Sequence, residues 1–221
     1  MTDEQQVPTH IRLVRDFVNT YERQVDQESL PTSDALRDWF VEHRLVAADV
    51  LVTDSDLATT LALREGFRNV LLGHAGHDPD PQAMKAFHAA LAELPVRLDF
   101  DADGYRLVST RTDPVGQALG QLLDAVRQIS QDGTWSRLKV CARDSCRWAF
   151  YDASRNQVRR WCSMAGCGNH VKMQRAYATR KARAGTQTLK RNCDRGCGKS
   201  IDVHLRWSDV RELLVGWGEL P

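Results

Sequence analysis

Apolar positions in the first 130 residues recur mostly at helical spacing, between clusters of cap and turn residues. Leu13, Phe17 and Tyr21 fall at i, i+4 and i+8, which predicts a helix over Ile11–Arg23. A polar loop follows. Pro31-Thr32-Ser33-Asp34 then caps a helix to about His43, with Leu36, Trp39 and Phe40 facing inward. Thr53-Asp54-Ser55-Asp56 caps a longer one to about Gly73, striped by Leu63, Phe67, Val70 and Leu71. His74 and His77 read as residues of a solvated, turn-rich loop. The next helix, about Pro81–Glu93, carries Met84, Phe87, His88 and Leu91 on its apolar stripe, so His88 reads as a core histidine.

The period then changes to two. Val96–Phe100 and Tyr105–Ser109 alternate across an Asp-Ala-Asp-Gly turn, which predicts a β-hairpin. Pro114 opens a further helix to about Ser130, with Val115, Leu119, Leu122, Val126 and Ile129 on its stripe. Trp135–Val140 reads as a strand leading into a region of different composition.

Charge marks that change. Residues 1–140 hold 14 Lys/Arg against 22 Asp/Glu, whereas residues 141–191 hold 12 Lys/Arg against two acids, Asp144 and Asp152. All six cysteines also follow residue 140. The overall net charge of +1 therefore conceals an acidic N-terminal region and a strongly basic segment. We expect a disordered start over 1–10, a helical regulatory domain over 11–134, a finger over 135–185 and a tail over 186–221.

Four of those cysteines form two matched pairs. Cys141 and Cys146 have four residues between them, as do Cys162 and Cys167, and fifteen residues separate the pairs. Soft, anionic thiolates at such spacing suit one tetrahedral Zn²⁺, and four of them leave no position open for water or substrate. A structural zinc site is the reading, and no catalytic role is assigned. Disulfides would require an oxidising compartment; MTDEQQVPTH has neither a basic n-region nor an apolar run, so a cytoplasmic location is expected. No stretch approaches the apolar length of a membrane span.

Between the pairs, Arg147–Tyr151 is β-prone, Asp152–Asn156 supplies a turn, and Gln157–Trp161 reads as a return strand. A helix over about Val171–Ala184 then follows, with its starting N–H groups expected to stabilise the Cys167 thiolate. Knuckle, hairpin and ligand-bearing helix predict a treble-clef-like finger in a mainly α (α+β) chain. On the helix Lys172, Arg175, Thr179 and Arg183 share a face with Arg180 beside it, while Val171, Met173, Tyr177 and Ala178 form the opposite stripe, expected to be packed. Arg155, Arg159 and Arg160 add charge near the hairpin. A basic helix on a zinc scaffold points to nucleic acid, DNA first, with Asn169 and His170 at the helix start. The rival is a zinc-stabilised module for RNA or an acidic protein.

The run Trp161-Cys-Ser-Met-Ala-Gly-Cys-Gly-Asn-His170, with Phe150–Asn156 upstream, resembles the CGNR zinc-finger family. Asp16–Thr20 and Leu63–Arg68 are similar to the ABATE domain that precedes that finger. The resemblance spans about Ile11–Ala184 and implies a bacterial stress-induced transcription regulator, its N-terminal domain sensing or binding a signal. It also implies that Cys141, Cys146, Cys162 and Cys167 are the zinc ligands. The chain departs at His170, where the family motif has arginine: imidazole lacks the permanent charge and the bidentate fork of guanidinium.

Other candidates are weaker. Arg12, Asn19, Arg64 and Arg68, with Asp16, offer a possible anion pocket, with surface or capping roles as the alternative. Cys193, Cys197 and His204 provide three ligands without an obvious fourth, and Trp207–Leu220 has helical spacing. A homodimer is left open, since no interface is legible. No phosphate loop, nucleophile elbow or dinucleotide fingerprint is present.

Overall fold

A computed structural model describes residues 7–102 and 104–194, with side chains to residue 182. The order is α1 (Thr9–Val18), β1 (Tyr21–Glu22), β2 (Gln27–Glu28), α2 (Ser33–Glu42), α3 (Asp54–His74) and α4 (Pro81–Ala92). Then follow β3 (Val96–Asp101), β4 (Gly104–Ser109), α5 (Pro114–Gln131), β5 (Leu138–Val140), β6 (Ala149–Tyr151) and α6 (Asn169–Asp194). The three two-stranded sheets are antiparallel: β1–β2, β3–β4 and β5–β6. The chain divides between Lys172 and Met173 into two compact units, described separately below.

Helix starts follow local chemistry. Thr32 accepts from Ala35 N–H, while Thr53 and Asp56 form a reciprocal capping box. Asp80 and Asp113 cap helices whose first residue is proline, where the absent N–H is one the helix would leave unpaired anyway. The core joins Phe17, Leu36, Phe40, Leu63, Phe67, Leu71, Leu119, Leu122 and Ile129, all buried. Phe67 meets both Phe17 and Phe87 edge-on. At Gly66 α3 and α4 come together so closely that a Cβ would lie 2.0 Å from the Phe87 ring. Any larger residue there separates the two helices.

That same core includes Leu138, Val140 and Ala149. The hairpin that carries the first cysteine pair thus packs against α1 and α3. It is built as part of the N-terminal fold.

Several expectations change. The helix expected over residues 11–23 begins at Thr9 and stops at Val18, and Tyr21 enters β1. Asn19 terminates the helix because its side chain pairs with Ala149, far along the chain. The polar loop after it contains the β1–β2 hairpin. His74 ends α3 instead of lying in a loop: its Nδ1 is 2.8 Å from Leu138 O and its ring meets Trp135 edge-on. His88 is exposed. Trp135–Arg137 forms a 3-10 turn, so β5 is only three residues long. Residues 1–6 and 195–221 lie outside the described residues, and with them most of the expected disordered start, Cys197, His204 and the Trp207–Leu220 segment.

Candidate metal centre and basic helix

Leu138 pairs with Tyr151, Lys139 with Phe150 and Val140 with Ala149, so the ladder closes across the first cysteine pair. The sequence reading placed the hairpin between the pairs, with 157–161 as its return strand. Instead, β6 takes β5 as its partner, because the apolar Leu138 and Val140 are drawn into the core beside Ala149. Residues 157–161 form no strand, although Arg160 O accepts from Ala142 N–H at 2.9 Å. Residues 141–147 make the knuckle: Cys141 N–H donates to Trp148 O, and Cys146 N–H to Arg143 O, both at 2.9 Å. Arg147 leaves the knuckle in the left-handed region (φ 52°), a conformation that glycine adopts at lower cost.

The second pair arrives on a π-turn, Met164–Gly168, that runs directly into α6. Ser163 Oγ accepts from Gly166 N–H and Ser163 O from Gly168 N–H. Two of the N–H groups at this turn thus go to Ser163. Gly168 is buried, and a Cβ there would lie 2.9 Å from Met164 Sδ and 3.2 Å from the Trp161 ring. The glycine of the motif is thus a packing requirement.

The four sulfurs converge. All lie within 4.8 Å of one another, and Cys146–Cys162 and Cys162–Cys167 are each 3.7 Å apart. A tetrahedron with Zn–S bonds of about 2.3 Å has edges of about 3.8 Å, whereas a disulfide is about 2.05 Å. The donor set and its spacing fit one structural zinc. Cys141, Cys146 and Cys167 are buried, and Cys162 is half-buried.

Ionisation of the thiols is uneven before a metal binds. Thiol hydrogen bonds from Cys146 and Cys162 hold Cys141 down at about 2. Donation to Cys141 pushes Cys146 up to about 12, and donation to Cys141 and Cys146 raises Cys162 as well. Adjacent sulfurs cannot all carry negative charge until a cation offsets it.

Outer contacts reach back into the N-terminal fold. Gln24, in the β1–β2 turn, donates to Cys146 Sγ at 3.3 Å and accepts from Arg143 at 3.1 Å, while Arg143 also approaches Cys167 Sγ at 3.9 Å. Such donors fix sulfur orientation and spread its charge. Gln24 lies 122 residues from Cys146 in sequence, and no local pattern marks it.

The structure does not gather the expected anion pocket. Arg12 is exposed. Arg64 is buried and forked onto Glu28, with both N–O distances 2.7 Å. Arg68 is buried, donating to Val18 O at 2.5 Å, Tyr21 O at 3.2 Å and Arg147 O at 3.1 Å. Asn19 is committed to Ala149. Arg64 and Arg68 therefore tie α3 to the β1–β2 hairpin and the knuckle, and Asn19 ties the end of α1 to β6.

Among the residues expected at nucleic acid, Arg155, Arg160, Asn169, His170 and Lys172 are exposed in the first unit. Arg159 is diverted: its guanidinium donates to Trp161 O and Cys162 O and stacks over Phe150 at 5.0 Å. Asp152 explains the bend before it. Fully buried, it accepts from Lys139 Nζ at 2.9 Å, Ser154 N–H at 3.1 Å and Arg159 N–H at 3.0 Å. In the second unit Arg175, Thr179 and Arg180 are exposed, with the Thr179 hydroxyl on Arg175 O; the Arg183 and Cys193 side chains lie outside the description. Of the stripe expected to be packed, only Val171 is half-buried among the described residues; Met173 and Tyr177 are 73% and 72% exposed.

A family model for ABATE, described as "Putative stress-induced transcription regulator", matches residues 12–145. The chain belongs to the ABATE family. A model for the CGNR zinc finger matches residues 137–181. The two matches overlap over 137–145, the stretch where β5, packed in the ABATE core, leads into Cys141 of the metal centre. No curated protein matches the chain. Among the described residues of this ABATE protein, no helix is long and apolar enough to cross a membrane.

Proposed function

We propose that this ABATE protein is a DNA-binding transcription regulator of the bacterial cytoplasm, with the CGNR finger as its DNA-binding part. The observation that carries this is the helix leaving the metal centre. From Asn169 to Ala182 it has four Lys/Arg and no acid, and its described side chains are exposed, apart from the half-buried Val171. A rigid zinc scaffold fixes where that helix begins, and phosphate contacts by Lys172, Arg175 and Arg180 anchor it. Asn169 and His170, at its N-terminal end, are the candidates for reading base edges.

The N-terminal fold supplies the signal in this reading. A cleft of about 300 Å³ between α1 and β6 is lined by Arg15, Asp16, Asn19, Trp148, Phe150 and Cys162. A ligand held there would touch both the ABATE core and a metal ligand. Family membership and this adjacency support the assignment; no catalytic function is proposed.

The test is duplex selection from a random library, followed by anisotropy titration across salt concentrations. Sequence preference with a steep loss of affinity as salt rises supports the reading. Equal or tighter binding to RNA hairpins, or no duplex binding by zinc-loaded protein, refutes it.

A further inference from the structure

The β3–β4 hairpin has one covered edge and one open edge. On the β4 side, Leu107 N–H donates to Asp124 Oδ1 of α5 at 2.7 Å, and Gln117 Nε2 donates to Ser109 O at 3.1 Å. On the β3 side the ladder ends, because among the described residues this sheet has two strands. Edge strands of this kind are normally blunted, since their unpaired N–H and C=O groups accept any suitable strand. Here β3 is six residues long and carries large apolar side chains at alternate positions. Val96, Leu98 and Phe100 are 38%, 52% and 74% exposed. Register places Leu98 beside Leu107 and Phe100 beside Tyr105, so these residues share one face.

We propose that β3 pairs antiparallel with β3 of a second copy, making a four-stranded sheet across a two-fold axis at Leu98. The strand's own sequence is complementary in that register. Val96 comes opposite Phe100 of the second copy, Leu98 meets Leu98, and Arg97 comes opposite Asp99. Charges are complementary twice, on the face away from the apolar one. The second acceptor is already in place. Arg106 occupies Asp99 Oδ2 at 2.8 Å, while Oδ1 has only a 3.5 Å approach from Arg97 of its own strand. A shift of register by one residue would set apolar side chains against the charged face, so the pairing selects its alignment. A two-stranded ribbon is marginal alone, and four strands with one apolar face are not.

This inference does not rest on DNA binding, although a two-fold dimer would present two fingers to a palindromic site. Its test is sedimentation velocity on the zinc-loaded full chain without nucleic acid. Wild type should sediment as a dimer of the 25.0 kDa chain at micromolar concentration. Leu98→Arg, which sets two like charges at the axis, should weaken association by about 100-fold. Because Leu98 is half exposed, the monomer should retain its circular dichroism and its zinc. Arg97→Glu should also weaken the dimer, and adding Asp99→Lys should restore much of it. A wild-type monomer at roughly 100 μM, or a dimer indifferent to Leu98→Arg and to the charge reversals, would overturn the proposal.

Discussion

Asn19 pairs with both backbone groups of Ala149: its Nδ2 donates to Ala149 O at 2.9 Å, and its Oδ1 accepts from Ala149 N–H at 2.7 Å. One side chain thereby stands in for a third strand on the open edge of β6. It ends α1 and seats the finger's hairpin on the ABATE core with the same amide. Ala149 is fully buried, so no water replaces either bond.

Asn19→Ala should therefore destabilise the fold by about 3 kcal/mol, because two buried backbone groups lose their partners. Asn19→Asp keeps one acceptor but loses the donor to the carbonyl, and it should cost at least as much. Urea unfolding of zinc-loaded protein measures both. A loss under ~0.5 kcal/mol would mean that the amide is not a structural tie.

Zinc uptake should release protons. Cys146, held up at about 12, and the raised Cys162 both enter as thiols at neutral pH, whereas Cys141, held at about 2, enters as thiolate. Binding should thus liberate at least two protons, and apparent affinity should fall roughly a hundredfold for each pH unit lowered near neutrality. Calorimetry in buffers of different ionisation enthalpy counts the protons. Cys162→Ser should reduce metal content from one zinc per chain towards none, read by mass spectrometry.

The Glu28–Arg64 fork gives an acid-sensitive clamp. Burial pushes Glu28 upward, but the Arg64 hydrogen bonds and the Leu30 N–H outweigh it and hold the carboxyl below its usual value. A depressed carboxyl contributes stability above the unfolded pKa, and that contribution is lost as pH falls through the folded one. Glu28→Ala should cost about 3 kcal/mol at pH 7, since Arg64 stays buried with only the partly exposed Glu65 as a charged partner. The gap from wild type should close below about pH 4. A pH-independent gap would show that packing, not charge, is lost.

On DNA, arginines of similar sequence context should behave differently. Arg175→Ala should weaken binding to all sequences and flatten the salt slope by about 0.9, the signature of one lost phosphate contact. Arg159→Ala should chiefly lower stability, because its guanidinium spans the Trp161 and Cys162 carbonyls and the Phe150 ring. Equal salt-slope changes from both would remove the distinction.

The sequence by itself determined what depends on neighbours along the chain. Helices α2 and α3 start directly after Thr32 and Thr53, and α4 and α5 at Pro81 and Pro114, close to where the sequence places them, because a cap, a first-turn proline and an apolar stripe are local properties. The zinc ligands were legible because two short cysteine spacings carry their own geometry, and the β3–β4 hairpin because its alternation and turn lie in one short stretch. Tertiary structure alone decided which strand β6 takes as partner. Residues 157–161 are as near in sequence as β5, and burial of Leu138 and Val140 settles the choice. It also decided the fate of Arg64, Arg68, Arg159 and Asn19, whose polar groups are spent on partners up to 130 residues away. A donor's identity is written in the chain. Whether it faces a ligand or an orphaned carbonyl depends on what folding buries beside it, because an unpaired buried acceptor costs more than an exposed arginine gains.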